Sequence, residues 1–123
     1  ARLAARWDEF VVEGHGCRCV LGEPWVTIAE GSELAMALMA VGDTDRARRM
    51  LHLQDQWRDD SHAYWMGYQY AENVPWPVEK PAWTAAAAIL AADAIYKLSP
   101  AANLFTRHSP GEADQQAQGL HLL

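Results

Sequence analysis

The sequence predicts an all-α fold: two α/α-hairpins, or slightly more, built from four helical segments. Three observations predict it. Apolar side chains recur at helical spacing in four stretches, and each stretch is bounded by residues that start or stop helices. In addition, Pro24-Trp25-Val26-Thr27 before the second stretch is echoed by Pro81-Ala82-Trp83-Thr84 before the fourth, a weak internal repeat. The length of 123 residues suits one core, and an apolar share of 50% excludes a linker-like chain.

The first segment is predicted from about Leu3 to Val12, with Leu3, Trp7, Phe10 and Val11 on one stripe and Gly14 and Gly16 ending it. The second follows Thr27, which stands with Glu30 in the S/T-x-x-E spacing of a capping box, and runs to Gly42. Alanine and methionine fill the gaps between Leu34, Leu38 and Val41, so this helix is expected to be buried on most sides. Asp43-Thr44-Asp45 turns the chain and caps the third, amphipathic helix, whose Ala47, Met50, Leu51, Gln54 and Trp57 face inward. Between Asp59 and Lys80, the run Tyr64 to Tyr70 reads as a short hairpin or an ordered loop. Pro81 suits the first turn of a fourth, alanine-rich helix from about Ala82 to Leu98, expected to be buried. Residues 1–98 thus form the predicted hairpin repeat domain. Residues 99–123 form a C-terminal extension, a short helix or disordered, with helix-start signals at Ser99-Pro100 and Ser109-Pro110-Gly111-Glu112.

A net charge of −6 lacks the electrostatic footprint of nucleic-acid or anionic-membrane binding. The longest apolar stretch, Ala82 to Ile95, carries Asp93 and falls short of the ~20 residues that cross a bilayer. No membrane span and a cytoplasmic location are therefore expected. Cys17 and Cys19 are too close in sequence for an ordinary disulfide, so reduced thiols are expected.

Gln54-Asp55-Gln56-Trp57, Asp59-Asp60-Ser61 and Tyr64-Trp65-Met66-Gly67-Tyr68 resemble the Gln-Trp type repeat of the terpene cyclase and prenyltransferase α/α-toroid superfamily. Trp76 to Thr84, with the alanine helix after it, is similar to the C-terminal end of bacterial prenyltransferase-like proteins, as are Cys17-Arg18-Cys19-Val20 and Pro24 to Glu30. The resemblance covers roughly residues 1 to 98. It implies a partial toroid with long aromatic loops, binding an apolar, isoprenoid-like ligand. The sequence departs from the superfamily in three respects: of an Asp-rich motif only Asp59-Asp60 remains, no Asp, Cys and His zinc triad is found, and the two expected hairpins fall short of the ring of hairpins that a complete toroid needs.

In a toroid the aromatic residues Trp25, Tyr64, Trp65, Tyr68, Tyr70, Trp76 and Trp83 would line one mouth, suited to isoprenoid chains or sugar faces. The alternative is that these rings pack the loops onto helix ends. Glu30 and Glu79 are the carboxylates nearest that mouth and are the candidate catalytic acid and base. Their alternatives are a helix cap for Glu30 and a helix-dipole role for Glu79. Asp59 and Asp60 read either as hard-oxygen metal ligands or as a solvated turn. His15, Cys17 and Cys19 concentrate soft ligand atoms, but the one-residue gap departs from zinc spacing, so no metal and no cofactor is predicted.

The expected function is therefore the ligand-binding segment of a prenyltransferase-like toroid, with enzymatic activity left open. Two other readings stand beside it: a self-associating interaction module, and part of a six-hairpin carbohydrate-active enzyme. The expected partners are a small apolar or sugar-like ligand, together with further copies of the chain or the remainder of a larger ring.

Overall fold

One helix organises the molecule. In the computed structural model, which describes residues 2–107, α1 (Arg2–Ala5) and α2 (Trp7–Phe10) are single turns. A hairpin of β1 (Val11–Val12) and β2 (Gly16–Cys17) follows, then β3 (Trp25–Thr27) and the long helix α3 (Ile28–Ala40). α4 (Thr44–Leu53) continues as a 3₁₀ turn, Gln54–Trp57, and β4 (Gly67–Gln69) and β5 (Val74–Pro75) lead to α5 (Ala82–Tyr96). α3 packs against both α4 and α5, around Ala35, Leu38, Ala47, Met50, Leu51, Ala91 and Ile95.

The helices follow from their sequence signals. Asp43 caps α4 by accepting a hydrogen bond from the Arg46 amide at 3.1 Å, and α3 leaves only Glu33 exposed along its length, as its dense apolar pattern predicts. Thr27 precedes α3 in extended backbone, but its hydroxyl donates to the Glu30 carboxylate instead of to a helix amide. α5 ends at Lys97, whose left-handed backbone (φ 56°) returns its amide to the Asp93 carbonyl. α5 corrects the expectation of burial: Thr84, Ala88, Ala91 and Ile95 form one buried stripe, while Trp83, Ile89 and Leu90 stay exposed.

Two small antiparallel sheets correct the all-α prediction, and the fold is mixed α/β, with five helices among the described residues. Among the described residues neither a pair of plain α/α-hairpins nor a partial all-α toroid is present. The predicted first helix breaks after Phe10 because Val11 and Val12 pair with Cys17 and Gly16, across a turn that needs the positive φ of Gly14. The second sheet joins residues far apart in sequence: Trp25 pairs with Gln69, Val26 with Tyr68 and Thr27 with Gly67, while Gln69 and Tyr68 pair with Val74 and Pro75. Such long-range pairing leaves no helical or local signal to read. The apparent repeat is likewise not structural, since Trp25-Val26-Thr27 is a strand and Ala82-Trp83-Thr84 is the first turn of a helix.

Residues 99–107 form hydrogen-bonded turns, with the Ala102 amide on the Ser99 carbonyl and the Leu104 amide on that of Ala101. The second expected helix start, at Ser109-Pro110-Gly111-Glu112, lies outside the described residues.

Candidate functional site

The three-stranded sheet separates the aromatic residues between its faces. On one face, Val26 and Tyr68 lie side by side, and Tyr68 stacks on Trp57 with centroids 4.0 Å apart and planes 19° apart. Ile28 joins them in a small core, with Val12, Tyr64 and Tyr70 at its margin. Trp57 also donates its indole N–H to the His15 carbonyl at 2.8 Å, and the Tyr70 hydroxyl accepts from Arg18 Nη2 at 3.0 Å. These rings close the core.

On the other face Trp25, Gln69 and Val74 form a ledge. The Trp25 indole lies over Gly67, where no side chain competes for the space, and donates to the Trp76 carbonyl at 2.6 Å. The two indoles meet edge to face at 5.4 Å. Trp76 is 55% exposed, and with Glu23, Glu72 and Gln69 it borders a hollow of about 470 Å³. Gln69 Oε1 is taken by the Ala71 and Glu72 amides at 2.7 and 3.0 Å, which leaves its amide nitrogen to donate elsewhere.

A second hollow, of about 500 Å³, lies between α4 with its 3₁₀ turn and α5. Ala82, Ala85, Ile89 and Ala92 of α5 make an apolar wall, and His52, Asp55, Arg58 and Tyr64 make a polar one. Asp55 Oδ1 accepts from Arg58 at 2.7 Å and from the Tyr64 hydroxyl at 3.1 Å, and Arg58 also donates to that hydroxyl at 2.6 Å. His52 reaches Asp55 Oδ2 at 3.4 Å and the Tyr96 hydroxyl at 2.5 Å. Burial pushes the Asp55 carboxyl toward the neutral form, but Tyr64, the Arg58 charge and His52 together hold it below its ordinary range. Burial and the Asp55 charge push the Tyr64 phenol up. His52, Asp55 and Arg58 stand three residues apart, a spacing that places them on one helical stripe and that was not singled out from the sequence.

The predicted site residues are therefore distributed. Trp25 and Trp76 share the ledge, Tyr64 belongs to the cleft, and Tyr68 and Tyr70 belong to the inner face. The Trp65 ring lies under Lys80 Nζ at 5.1 Å, and Trp83 stands exposed on α5. Glu30 accepts from the Thr27 hydroxyl and, at 3.2 Å, from the Cys19 thiol. Glu79 is exposed, its carbonyl accepts from the Met66 amide at 2.9 Å, and its carboxylate has no hydrogen-bond partner among the described residues.

Asp59 organises a turn, accepting from the Ser61 amide at 2.9 Å and the Ala63 amide at 3.1 Å while pairing with Lys80. Hydrogen bonds from Lys80 and Ser61 hold its carboxyl well below the usual range. Both cysteines are free thiols. Burial, with Glu30 nearby, pushes the Cys17 thiol up to about 11, and desolvation and the Glu30 hydrogen bond raise that of Cys19. Among the described residues no three His, Cys, Asp or Glu side chains gather as a metal site, and no helix is long and apolar enough to cross a membrane.

No family model matches the chain. It is similar to an MMP endo-(1,4)-3-O-methyl-alpha-D-mannosidase of Mycolicibacterium hassiacum, with 45% identity over 105 residues that cover 85% of this chain and 29% of the relative. The chain thus spans less than a third of that relative's length. This likeness to a glycoside-cleaving enzyme overturns the resemblance to prenyltransferases and terpene cyclases and the isoprenoid-binding function drawn from it. It favours the carbohydrate-active alternative.

Proposed function

We propose that the chain is a substrate-binding part of an endo-acting mannosidase whose substrate is an O-methylated, α-1,4-linked mannan. The observation that carries this reading is the 45% identity to the mycobacterial endo-mannosidase, sustained over 85% of the chain.

The ledge supports it in chemical terms. A pyranose ring has an apolar C–H face and a belt of hydroxyls. The exposed Trp76 ring suits the former, and the carboxylates of Glu23 and Glu72 and the free amide nitrogen of Gln69 suit the latter. In this proposal Trp25 and Trp76 bind sugar directly. Tyr64, Trp65, Tyr68, Tyr70 and Trp83 serve as further aromatic contacts or as supports for the rings that make them. Glycoside hydrolysis requires a carboxylic acid and a carboxylate. Glu79 and Glu30 are proposed for these roles, with Glu79, which has no partner among the described residues, the freer to exchange a proton with substrate.

Titration calorimetry with α-1,4-linked manno-oligosaccharides, methylated and unmethylated, tests the reading. Binding is expected, and Trp76→Ala is expected to weaken it roughly tenfold, as loss of an aromatic anchor does. Absence of binding to either sugar by the parent chain would remove the proposal.

The exposed Trp83 and Leu90 of α5 favour one compatible reading, in which this face packs on another copy of the chain or on the remainder of a larger protein. Light scattering separates the two occupants: the mass of a single chain removes self-association.

A further inference from the structure

The cleft between α4 and α5 carries chemistry that the ledge does not have. Up to Tyr96 at its end, the α5 wall is formed by side chains with no polar atom, Ala82, Ala85, Ile89 and Ala92, and Ile89 is 67% exposed to it and to solvent. The opposite wall is polar and pre-organised. Arg58 and Tyr64 hold Asp55 from one side and His52 from the other, and His52 is fixed in turn by Tyr96 at the end of α5. A ligand lying between these walls has to be apolar on one edge and rich in hydroxyls on the other.

We propose that this cleft is a second sugar subsite, one that selects an O-methylated pyranose by placing its methyl group against the alanine wall. The inference rests on the mannan reading above and adds to it the source of selectivity. An O-methyl group has no hydrogen to donate, and its carbon gains from leaving water against alanine and isoleucine methyls. A free hydroxyl at the same position would give up part of its hydration against that wall and gain no protein partner there. The remaining hydroxyls meet Asp55 as an acceptor and Arg58 as a donor on the polar wall. Selection therefore acts in both directions, by attraction of the methyl group and by exclusion of the hydroxyl. The volume of about 500 Å³ lies within the range of small-ligand sites.

The experiment is calorimetry on the whole chain with two tetrasaccharides of α-1,4-linked mannose, one 3-O-methylated and one not. The parent is expected to prefer the methylated sugar by roughly fourfold for each methyl group buried. Ile89→Gln, which removes apolar surface and offers a free hydroxyl a hydrogen-bond partner, is expected to bring that preference toward unity by weakening the methylated sugar and strengthening the unmethylated one. Ala85→Ser, one hydroxyl added at an exposed position, is expected to act in the same direction and keeps the test valid if Ile89→Gln fails to fold. Trp76→Ala is expected to weaken both sugars equally. A preference that survives both α5 substitutions, with Trp76→Ala still weakening both sugars, would overturn the subsite and leave the ledge reading standing. Failure of the parent to bind either sugar would remove both.

Discussion

The two faces of the three-stranded sheet use the same kinds of residue to opposite ends. On the inner face Trp57 and Tyr68 stack in parallel, and Val26 and Ile28 fill the space beside them. On the outer face Trp25 and Trp76 meet edge to face, and the second ring stays open to solvent. The strands alternate, so Val26 and Tyr68 point one way while Trp25 and Gln69 point the other. Burial therefore decides what an aromatic ring does: an enclosed ring supplies stability, and an exposed ring is available to a ligand.

The sharpest way to break this comparison is to truncate one ring on each face. Trp57→Ala removes a buried side chain from the inner core and is expected to cost about 3–5 kcal/mol in chemical denaturation. Trp76→Ala is expected to change stability by no more than about 0.5 kcal/mol, its effect falling on ligand binding. Equal losses of stability would show that the faces do not differ as described.

Thiol chemistry extends the contrast between buried and exposed side chains to the neighbouring β1–β2 hairpin. With its thiol at about 11, buried Cys17 holds only about one thiolate in a thousand at pH 8 and is expected to react with iodoacetamide about a hundredfold more slowly than an ordinary exposed thiol. Cys19, exposed, is expected to be modified first, as peptide mapping by mass spectrometry would report. Preferential labelling of Cys17 would mean that the β1–β2 hairpin does not keep it buried.

Gly67 marks the closest approach of the strands. A Cβ there would lie 2.7 Å from the Val26 carbonyl and 2.5 Å from Trp25 Nε1, so Gly67→Ala is expected to cost about 1–3 kcal/mol and to shift the Trp25 ring.

The smallest effect concerns Asp55, which ties Tyr64 at the margin of the inner core to the cleft. Its carboxyl titrates below its unfolded value, so its contribution is complete above about pH 4 and is lost as the pH falls through the folded value. The group is half exposed, and Asp55→Asn is expected to lower stability at pH 7 by only a few tenths of a kcal/mol and to flatten the loss of melting temperature between pH 7 and pH 3.

How much of this was legible follows from the range of the interactions. Asp43, the apolar spacing of α3 and the alanine run of α5 act within one or two turns, and they placed three helices. Trp25-Val26-Thr27 was assigned to a helix lead-in because its strand partners lie far along the chain, in the case of Thr27 at Gly67. Val11-Val12 was assigned to a helix because Val11 continues the apolar stripe of Leu3, Trp7 and Phe10, although its partner Cys17 is near in sequence. Thr27 and Thr84 share a Pro-x-x-Thr pattern with a tryptophan between, yet one ends a paired strand and the other lies inside a helix. The aromatic residues were expected to line one mouth, but they divide between ledge, cleft and inner face, and no local signal tells Trp76 on the ledge from Tyr68 beneath it. The cleft was missed for the converse reason: His52, Asp55 and Arg58 lay on one visible stripe, and what turns a solvated stripe into a wall is α5, which arrives about thirty residues later.

The claim that the outer face meets sugar while the inner face holds the fold is open to direct observation through the indole N–H groups. In a ¹⁵N–¹H correlation spectrum, titration with an α-1,4-linked 3-O-methylmannose oligosaccharide is predicted to move the Trp25 and Trp76 indole signals and to leave that of Trp57 in place. Movement of the Trp57 signal with those of Trp25 and Trp76 unchanged would contradict the account.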